Sequence, residues 1–246
     1  VTKKVALVTG ASSGIGTAVA IRFAKEDYSV MAAGRDTRRA SALSEKHESI
    51  STWAGDLTTS AACADLIAVC IETFGRLDVL VNNAGIYTAA DAEQTTDELW
   101  SQTIAVNLTA PFHLSREAIP HLRKTKGAIL NIASDWGLVG GKQAVAYCAS
   151  KGGIVLMTRA MALDHAHERI RVNAICPGDV ETPMLYAEGA ARGLDRAAAV
   201  READAASFTG RVTTADEVAS LVLYLASDDA AQITGAAIPI DGGNSA

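Results

Sequence analysis

Two hydrophobic rhythms alternate along this chain. Val5-Ala6-Leu7-Val8 is a short, valine-rich apolar run without polar interruption, the pattern of a strand buried on both faces of a parallel sheet. In the next segment, Thr17 to Lys25, the apolar residues Val19, Ala20, Phe23 and Ala24 return at helical spacing. The two rhythms then repeat. Strands are predicted at Ser29 to Ala33, Ile50 to Ala54, Val79 to Val81, Ala128 to Ala133, Arg171 to Ile175 and Ala236 to Ile240. Helices are predicted at Thr37 to Lys46, Ala61 to Phe74, Asp97 to Leu122, Val145 to His167 and Thr214 to Ala226, the last opened by a cap at Thr213 or Thr214. Such alternation predicts an α/β fold, a doubly wound parallel sheet with right-handed crossovers and helices on both faces. A single domain over residues 1–246 accommodates it. One stretch breaks the rhythm: residues 179–208, rich in alanine and charge, follow Pro177-Gly178 and read as an insertion of short helices closing over a site, a substrate-binding lid.

Composition narrows the function classes. The 28 acidic and 22 basic residues give a formal charge of -6, which disfavours nucleic acid and anionic membranes and points to a small-molecule function. The opening Val1-Thr2-Lys3-Lys4-Val5 runs straight into the first strand without the apolar core and cleavage site of a signal peptide, so a cytoplasmic protein is expected. Cys63, Cys70, Cys148 and Cys176 have no Cys-x-x-Cys spacing and no histidine set suited to zinc; they read as reduced thiols, and no metal site is expected. His165 and His167 diverge on a helix and make poor joint ligands.

Three stretches carry candidate chemistry. Thr9-Gly10-Ala11-Ser12-Ser13-Gly14-Ile15-Gly16 joins the first strand to the first helix. That context offers a phosphate free backbone N–H groups and the positive end of the helix dipole, with glycines allowing close approach. The spacing is Gly-x-x-x-Gly-x-Gly rather than the standard dinucleotide fingerprint Gly-x-Gly-x-x-Gly, and on its own it is also compatible with simple turn punctuation. Further on, Tyr147 and Lys151 share one helical face. A phenol with a free pKa near ~10 transfers protons poorly at neutral pH unless a nearby cation stabilises its phenolate, and Lys151 is placed to do so. Ser134 follows the apolar run of Ala128 to Ala133, where a strand-end hydroxyl can hold a substrate oxygen beside the phenol. Taken alone, Tyr-x-x-x-Lys is common on amphipathic helices.

With the glycine turn, Asn82-Asn83-Ala84-Gly85, Asn107, Ser134, Tyr147, Lys151 and Pro177-Gly178 all in order, the chain resembles the short-chain dehydrogenase/reductase family over essentially its whole length. The resemblance implies a Rossmann-type fold and hydride transfer between a nicotinamide cofactor and an alcohol or carbonyl carbon. It implies that Tyr147 is the general acid/base, that Lys151 lowers the Tyr147 pKa and bonds the nicotinamide ribose, and that Ser134 holds the substrate oxygen. Asn107 corresponds to the residue whose backbone carbonyl helps hold a proton-relay water beside Lys151. For the cofactor, Gly10, Ser12, Ile15 and Gly16 correspond to pyrophosphate and ribose contacts and Asp56 to an adenine contact. Asn83, Ala84 and Gly85 correspond to a turn lining the cleft, and Pro177, Gly178, Val180 and Thr182 to the segment that fixes the carboxamide. The alternative is a catalytically inactive cofactor-sensing or scaffold protein of the same fold, against which the intact Ser134, Tyr147 and Lys151 speak.

Cofactor choice and substrate are read from neighbouring residues. NAD-preferring members usually end the second strand with a carboxylate that accepts the adenine-ribose hydroxyls. Here Gly34 stands there, followed by Arg35, whose guanidinium suits a ribose phosphate; NADP is predicted, with NAD as the alternative. Asp36 is expected to cap the next helix. Asp135 and Trp136 directly follow Ser134 and place an acceptor and an indole at the substrate pocket, which suggests a small polar substrate such as a sugar, sugar acid or cyclic alcohol. His113, Leu185 and Tyr186 are further candidate wall residues. The family commonly forms homotetramers through two long central helices and the last strand, and Asp97 to Leu122, Val145 to His167 and Ile238-Pro239-Ile240 suit such an assembly.

Overall fold

The computed structural model describes residues 3–45 and 47–246. Its strands are β1 (Val5–Thr9), β2 (Ser29–Gly34), β3 (Ile50–Ala54), β4 (Val79–Asn82), β5 (Ala128–Ile132), β6 (Arg171–Pro177) and β7 (Ala237–Ile240). They form one sheet in the order β3-β2-β1-β4-β5-β6-β7, parallel at every pairing. Strand register and side-chain alternation build the two cores. Ala6 and Val8 point into one layer with Val19 and Phe23 of α1 (Gly14–Lys25) and Val218, Val222 and Leu225 of α9 (Ala215–Ala226). Val5 and Leu7 point into the other, with Leu66 and Cys70 of α3 (Ser60–Phe74) and Leu114 and Leu122 of α5 (Ala110–Thr125). Each large apolar side chain so buried contributes about 1.5–3 kcal/mol, which is why β1 admits no polar residue before Thr9. This is the Rossmann-type arrangement expected, in a single domain.

The helix boundaries follow local chemistry. Asp36 accepts from the Arg38 and Arg39 amides and caps α2 (Thr37–Ser44), as predicted. Lys46, the predicted last residue of that helix, lies outside the described residues, as do Val1 and Thr2. Thr214 caps α9 through a capping box with Glu217. Helix α1 begins at Gly14, three residues before the predicted Thr17, because the glycine turn itself supplies its first turn.

The predicted single helix from Asp97 to Leu122 differs most from expectation. It is α4 (Asp97–Ile104), a π-helical turn (Ala105–Thr109) and α5. The Ala110 amide bonds to the Ala105 carbonyl five residues back. Pro111 has no N–H to give to the Asn107 carbonyl four residues back, so one regular helical bond is missing where the π turn meets α5. Downstream lie α6 (Val145–His165), followed by a 3-10 turn, and two helices within the lid segment, α7 (Pro183–Ala191) and α8 (Arg196–Ala206). Leu185, Ala203 and Val212 give the lid segment a small core of its own. Its base is closed where the Glu181 amide donates to the Thr213 carbonyl (3.0 Å) and the Thr213 amide to the Asp179 carbonyl (2.9 Å).

Candidate active site

The carboxyl ends of β1 and β4, where the strand order reverses direction, open into a cleft of about 670 Å³. Gly10 turns the chain there with φ +64°, and a Cβ on it would stand 2.8 Å from Asn83 Nδ2 and 2.9 Å from the Ala84 Cα. Only glycine lets this turn nest against the Asn83-Ala84-Gly85 turn. A Cβ on Gly16 would collide with the Gly10 carbonyl, so Gly16 seats α1 on the turn; it does not line the cleft, where the resemblance placed a cofactor contact. Ser12, Ser13, Gly14 and Ile15 do line it. The Ser13 side chain makes no capping bond and the first turn of α1 carries no acid, so neither competes with an anion for the N-terminal amides. That arrangement fits a pyrophosphate. Thr9, which sequence reasoning passed over, locks the two turns together: its buried hydroxyl accepts from the Asn83 and Ala84 amides (3.0 Å each) and donates to the Val81 carbonyl.

Ser134 leaves the end of β5, while Tyr147 and Lys151 enter on the first turns of α6, and all three line the same cleft. Lys151 is 4% exposed and donates to the Ile132 carbonyl at 2.7 Å. Burial lowers its ammonium to about 8. Tyr147 is pushed above the ordinary phenol range, first by burial; a hydrogen bond with Ser134 works against this and the Asp135 charge adds to it. Here the protein departs from expectation. Lys151 was expected to pull the phenol down; in the protein by itself burial prevails, and the Lys151 ammonium donates to a strand carbonyl.

Asn107 is buried within the π turn rather than lining the cleft. Its amide accepts from the Ile86 amide (2.8 Å) and donates to the Ile86 carbonyl (2.9 Å) and to Ser150 Oγ (3.1 Å), and Ser150 Oγ donates to the Tyr147 carbonyl (2.7 Å). The side chain thus ties the loop after β4 to the helix that carries Tyr147 and Lys151.

At the far end of the cleft stand Gly34, Arg35, Asp36, Arg39 and Asp56. A Cβ on Gly34 would lie 3.1 Å from Ser12 Oγ, so a carboxylate-bearing side chain fits this position only if Ser12 yields. Arg39, absent from the sequence-based candidates, pairs with Asp36 at 3.3 Å and reaches the cleft beside Arg35. Its signal was present in the spacing, since Arg35 and Arg39 flank the α2 cap, but the chain has other arginines and only the fold brings this one to the cleft.

Opposite, the substrate end gathers Asp135, Trp136, Tyr87, Asp179, Met184, Leu185, Glu188 and Asn244. Pro177, Gly178, Val180 and Thr182 line the cleft between the two ends. Tyr87, Trp136 and Tyr147 meet edge to face with centroids 5.2–6.1 Å apart. Of the three additional wall candidates, Leu185 lines the cleft; His113 and Tyr186 do not. Tyr186 instead bonds Glu181 and carries the Arg196 guanidinium over its ring. Among the described residues no group of three metal-ligating side chains occurs, and the four cysteines are free thiols.

Comparison with known proteins agrees with this site. The family model described as short chain dehydrogenase matches residues 4–220, and the chain belongs to that family. It is 38% identical to a D-beta-hydroxybutyrate dehydrogenase of Rhizobium meliloti over 98% of each chain. It is also 38% identical to a meso-2,3-butanediol dehydrogenase of Serratia marcescens, covering 99% of this chain and 95% of the relative. Among solved structures, a single-substitution variant of actinorhodin polyketide ketoreductase with NADPH superposes with a TM-score of 0.94 at 34% identity, covering 99% of this chain and 97% of that one. The protein is an oxidoreductase that transfers hydride between a nicotinamide cofactor and an alcohol or ketone.

Proposed function

We propose that Ser134, Tyr147 and Lys151 carry this hydride-transfer chemistry on a small polar alcohol or its ketone, with NADP(H) preferred over NAD(H). The observation that carries the reading is their convergence on the cleft that also holds the glycine turn. The nicotinamide, when bound, accepts or gives the hydride. Tyr147 takes the hydroxyl proton in oxidation and returns it in reduction, and Ser134 holds the oxygen through the change of charge. Lys151, fixed by the Ile132 carbonyl, is positioned for the ribose hydroxyls and holds its positive charge near the phenol, its Nζ 5.5 Å from the ring centroid. Asn107 acts as a positioning residue through Ile86 and Ser150.

Three observations support NADP(H): crowding at Gly34, and the exposed guanidinium groups of Arg35 and Arg39 in the cleft. Initial rates with each cofactor test this; a clear advantage for NAD would overturn it. Names of relatives that act on hydroxybutyrate and butanediol favour a small polar substrate. A rate screen over sugars, cyclic alcohols, hydroxy acids and steroids tests that reading, and activity confined to bulky apolar ketones would refute it.

The lid segment, with its own core and a closed base, is proposed to move over bound substrate as a unit. Exposed Phe112 on α5 and Leu156 and Leu163 on α6 support a homotetramer built on these helices, which solution mass would test. Four unpaired thiols fit a reducing, cytoplasmic setting.

A further inference from the structure

The substrate end of the cleft carries a charge pattern that narrows the substrate class. Asp135 is buried and fully engaged: it accepts from the Ser134 hydroxyl (2.8 Å), the Trp136 amide (2.7 Å) and Asn244 Nδ2 (2.6 Å). Asn244 comes from the C-terminal turn, which Asp241 organises by accepting from the Gly243 and Ser245 amides and the Ser245 hydroxyl. Asp179 and Glu188 line the same region from the lid, and neither carboxylate has a hydrogen-bond or ion-pair partner among the described residues.

Among the described residues, the cations nearest this end already have a partner, and the Arg192 charge also acts on Asp179 and Glu188. Arg192 pairs with Glu202, Arg211 with both oxygens of Glu217, and Lys151 with the Ile132 carbonyl. Arg35 and Arg39 lie at the other end of the cleft. An anionic substrate therefore meets three carboxylates, while the guanidinium groups nearest them, Arg192 and Arg211, are each already paired with a carboxylate. A hydroxyl-bearing substrate meets two carboxylates with unused acceptor oxygens, beside the rings of Tyr87, Trp136 and Tyr147, whose apolar surfaces suit a C–H face.

Resting on the assignment of Ser134, Tyr147 and Lys151 as the reacting centre, we propose that Asp179 and Glu188 determine specificity, selecting an uncharged polyol or sugar and turning away hydroxy acids and sugar acids. The charged form of each carboxyl is already disfavoured: Asp179 is raised by burial and then by the Asp135 charge, Glu188 by burial and then by Asp179, with the Arg192 charge working against the rise in both. Asp179 is exposed and Glu188 half-buried, so water screens part of this repulsion.

The test uses probes that differ only in charge: 1,3-butanediol, 3-hydroxybutyrate and 4-amino-2-butanol, with L-fucose as a sugar. Calorimetric titration is run on the complex with reduced cofactor, where the alcohols bind without reacting. The diol and the sugar should bind at least about tenfold tighter than the acid, and the amine at least as tightly as the diol. In the double variant Asp179→Asn/Glu188→Gln the gap between diol and acid should shrink to within roughly threefold. The single variants should each remove part of the gap, which keeps the test intact if the double variant fails to fold. Equal or tighter binding of the acid, a gap that persists in the variants, or no binding of diol and sugar would overturn the proposal. A diol bound with the expected charge preference but never oxidised would support it, and would count against the assigned chemistry instead.

Discussion

The two ends of the cleft are built by opposite means. Around Tyr147 the groups are buried and joined: Lys151 to the Ile132 carbonyl, Asn107 to Ile86 and Ser150, Ser134 to Asp135, and Asp135 to Asn244. Around Arg35 the groups are exposed, and their one ion pair, Arg39 with Asp36, lies in solvent. Desolvation makes each charge at the first end costly and each orientation strict, so that end suits chemistry. Screening at the second end makes its charges tolerant and adjustable, so that end suits a choice between cofactors. Substitutions should therefore have steep, pH-linked effects at one end and shallow, salt-sensitive effects at the other.

The largest expected effect is that of Tyr147→Phe. It should lower kcat by about 10²–10⁴-fold while leaving cofactor affinity unchanged, as read by fluorescence titration of the cofactor. Near-normal turnover would remove Tyr147 from the acid/base role. Asn107→Ala comes next. It strands the Ile86 amide and carbonyl in the interior and should cost about 1–3 kcal/mol in urea unfolding, together with a lower kcat. An unchanged unfolding midpoint would mean that the π turn is held by other contacts.

The third prediction uses pH. In the folded protein Lys151 is lowered from 10.5 to about 8, so between those values the unfolded chain binds more protons and wild-type stability rises with pH. Below about 8 the native state carries a buried charge in full. The stability of Lys151→Met relative to wild type should thus be most favourable below about 8 and decline as pH rises toward 10.5, measured as the difference in Tm across that window. A constant difference would show that the ammonium is not desolvated. The smallest effect is expected at the exposed end. Arg35→Ser should reduce kcat/KM with NADP by roughly tenfold and leave NAD nearly unchanged, an effect that shrinks in high salt. Equal losses with both cofactors would dissolve the contrast between the two ends.

Much of this molecule was legible in order along the chain. Every predicted strand is present to within a residue or two, and β1 was the plainest because a strand buried on both faces leaves an uninterrupted apolar run, as Val5 to Val8 does. The glycine turn, the Asn-Asn-Ala-Gly turn, Ser134 and the Tyr147–Lys151 pair were readable because their chemistry requires fixed residue types at fixed spacing. The π turn at Asn107 was less visible, since helical periodicity averages over a single widened turn.

The amino-acid order alone determined the class of fold, the candidate trio Ser134, Tyr147 and Lys151, and the cap at Asp36, because each depends on neighbours within a few residues or on a pattern repeated along a segment. Tertiary structure alone decided the rest. Thr9 holds a turn more than seventy positions away, Asn244 reaches Asp135 across 109 positions, and the segment after β6 brings the charges of Asp179 and Glu188 to act on Tyr87 and that of Asp179 to meet the field of Asp135. Charge and burial at a site are sums over all the elements that enclose it, and here those elements come from segments between Gly10 and Asn244 that are far apart in the chain. That is why the direction of the Tyr147 shift, the commitment of Lys151 to a strand carbonyl and the acidic character of the substrate end became visible only in the folded protein.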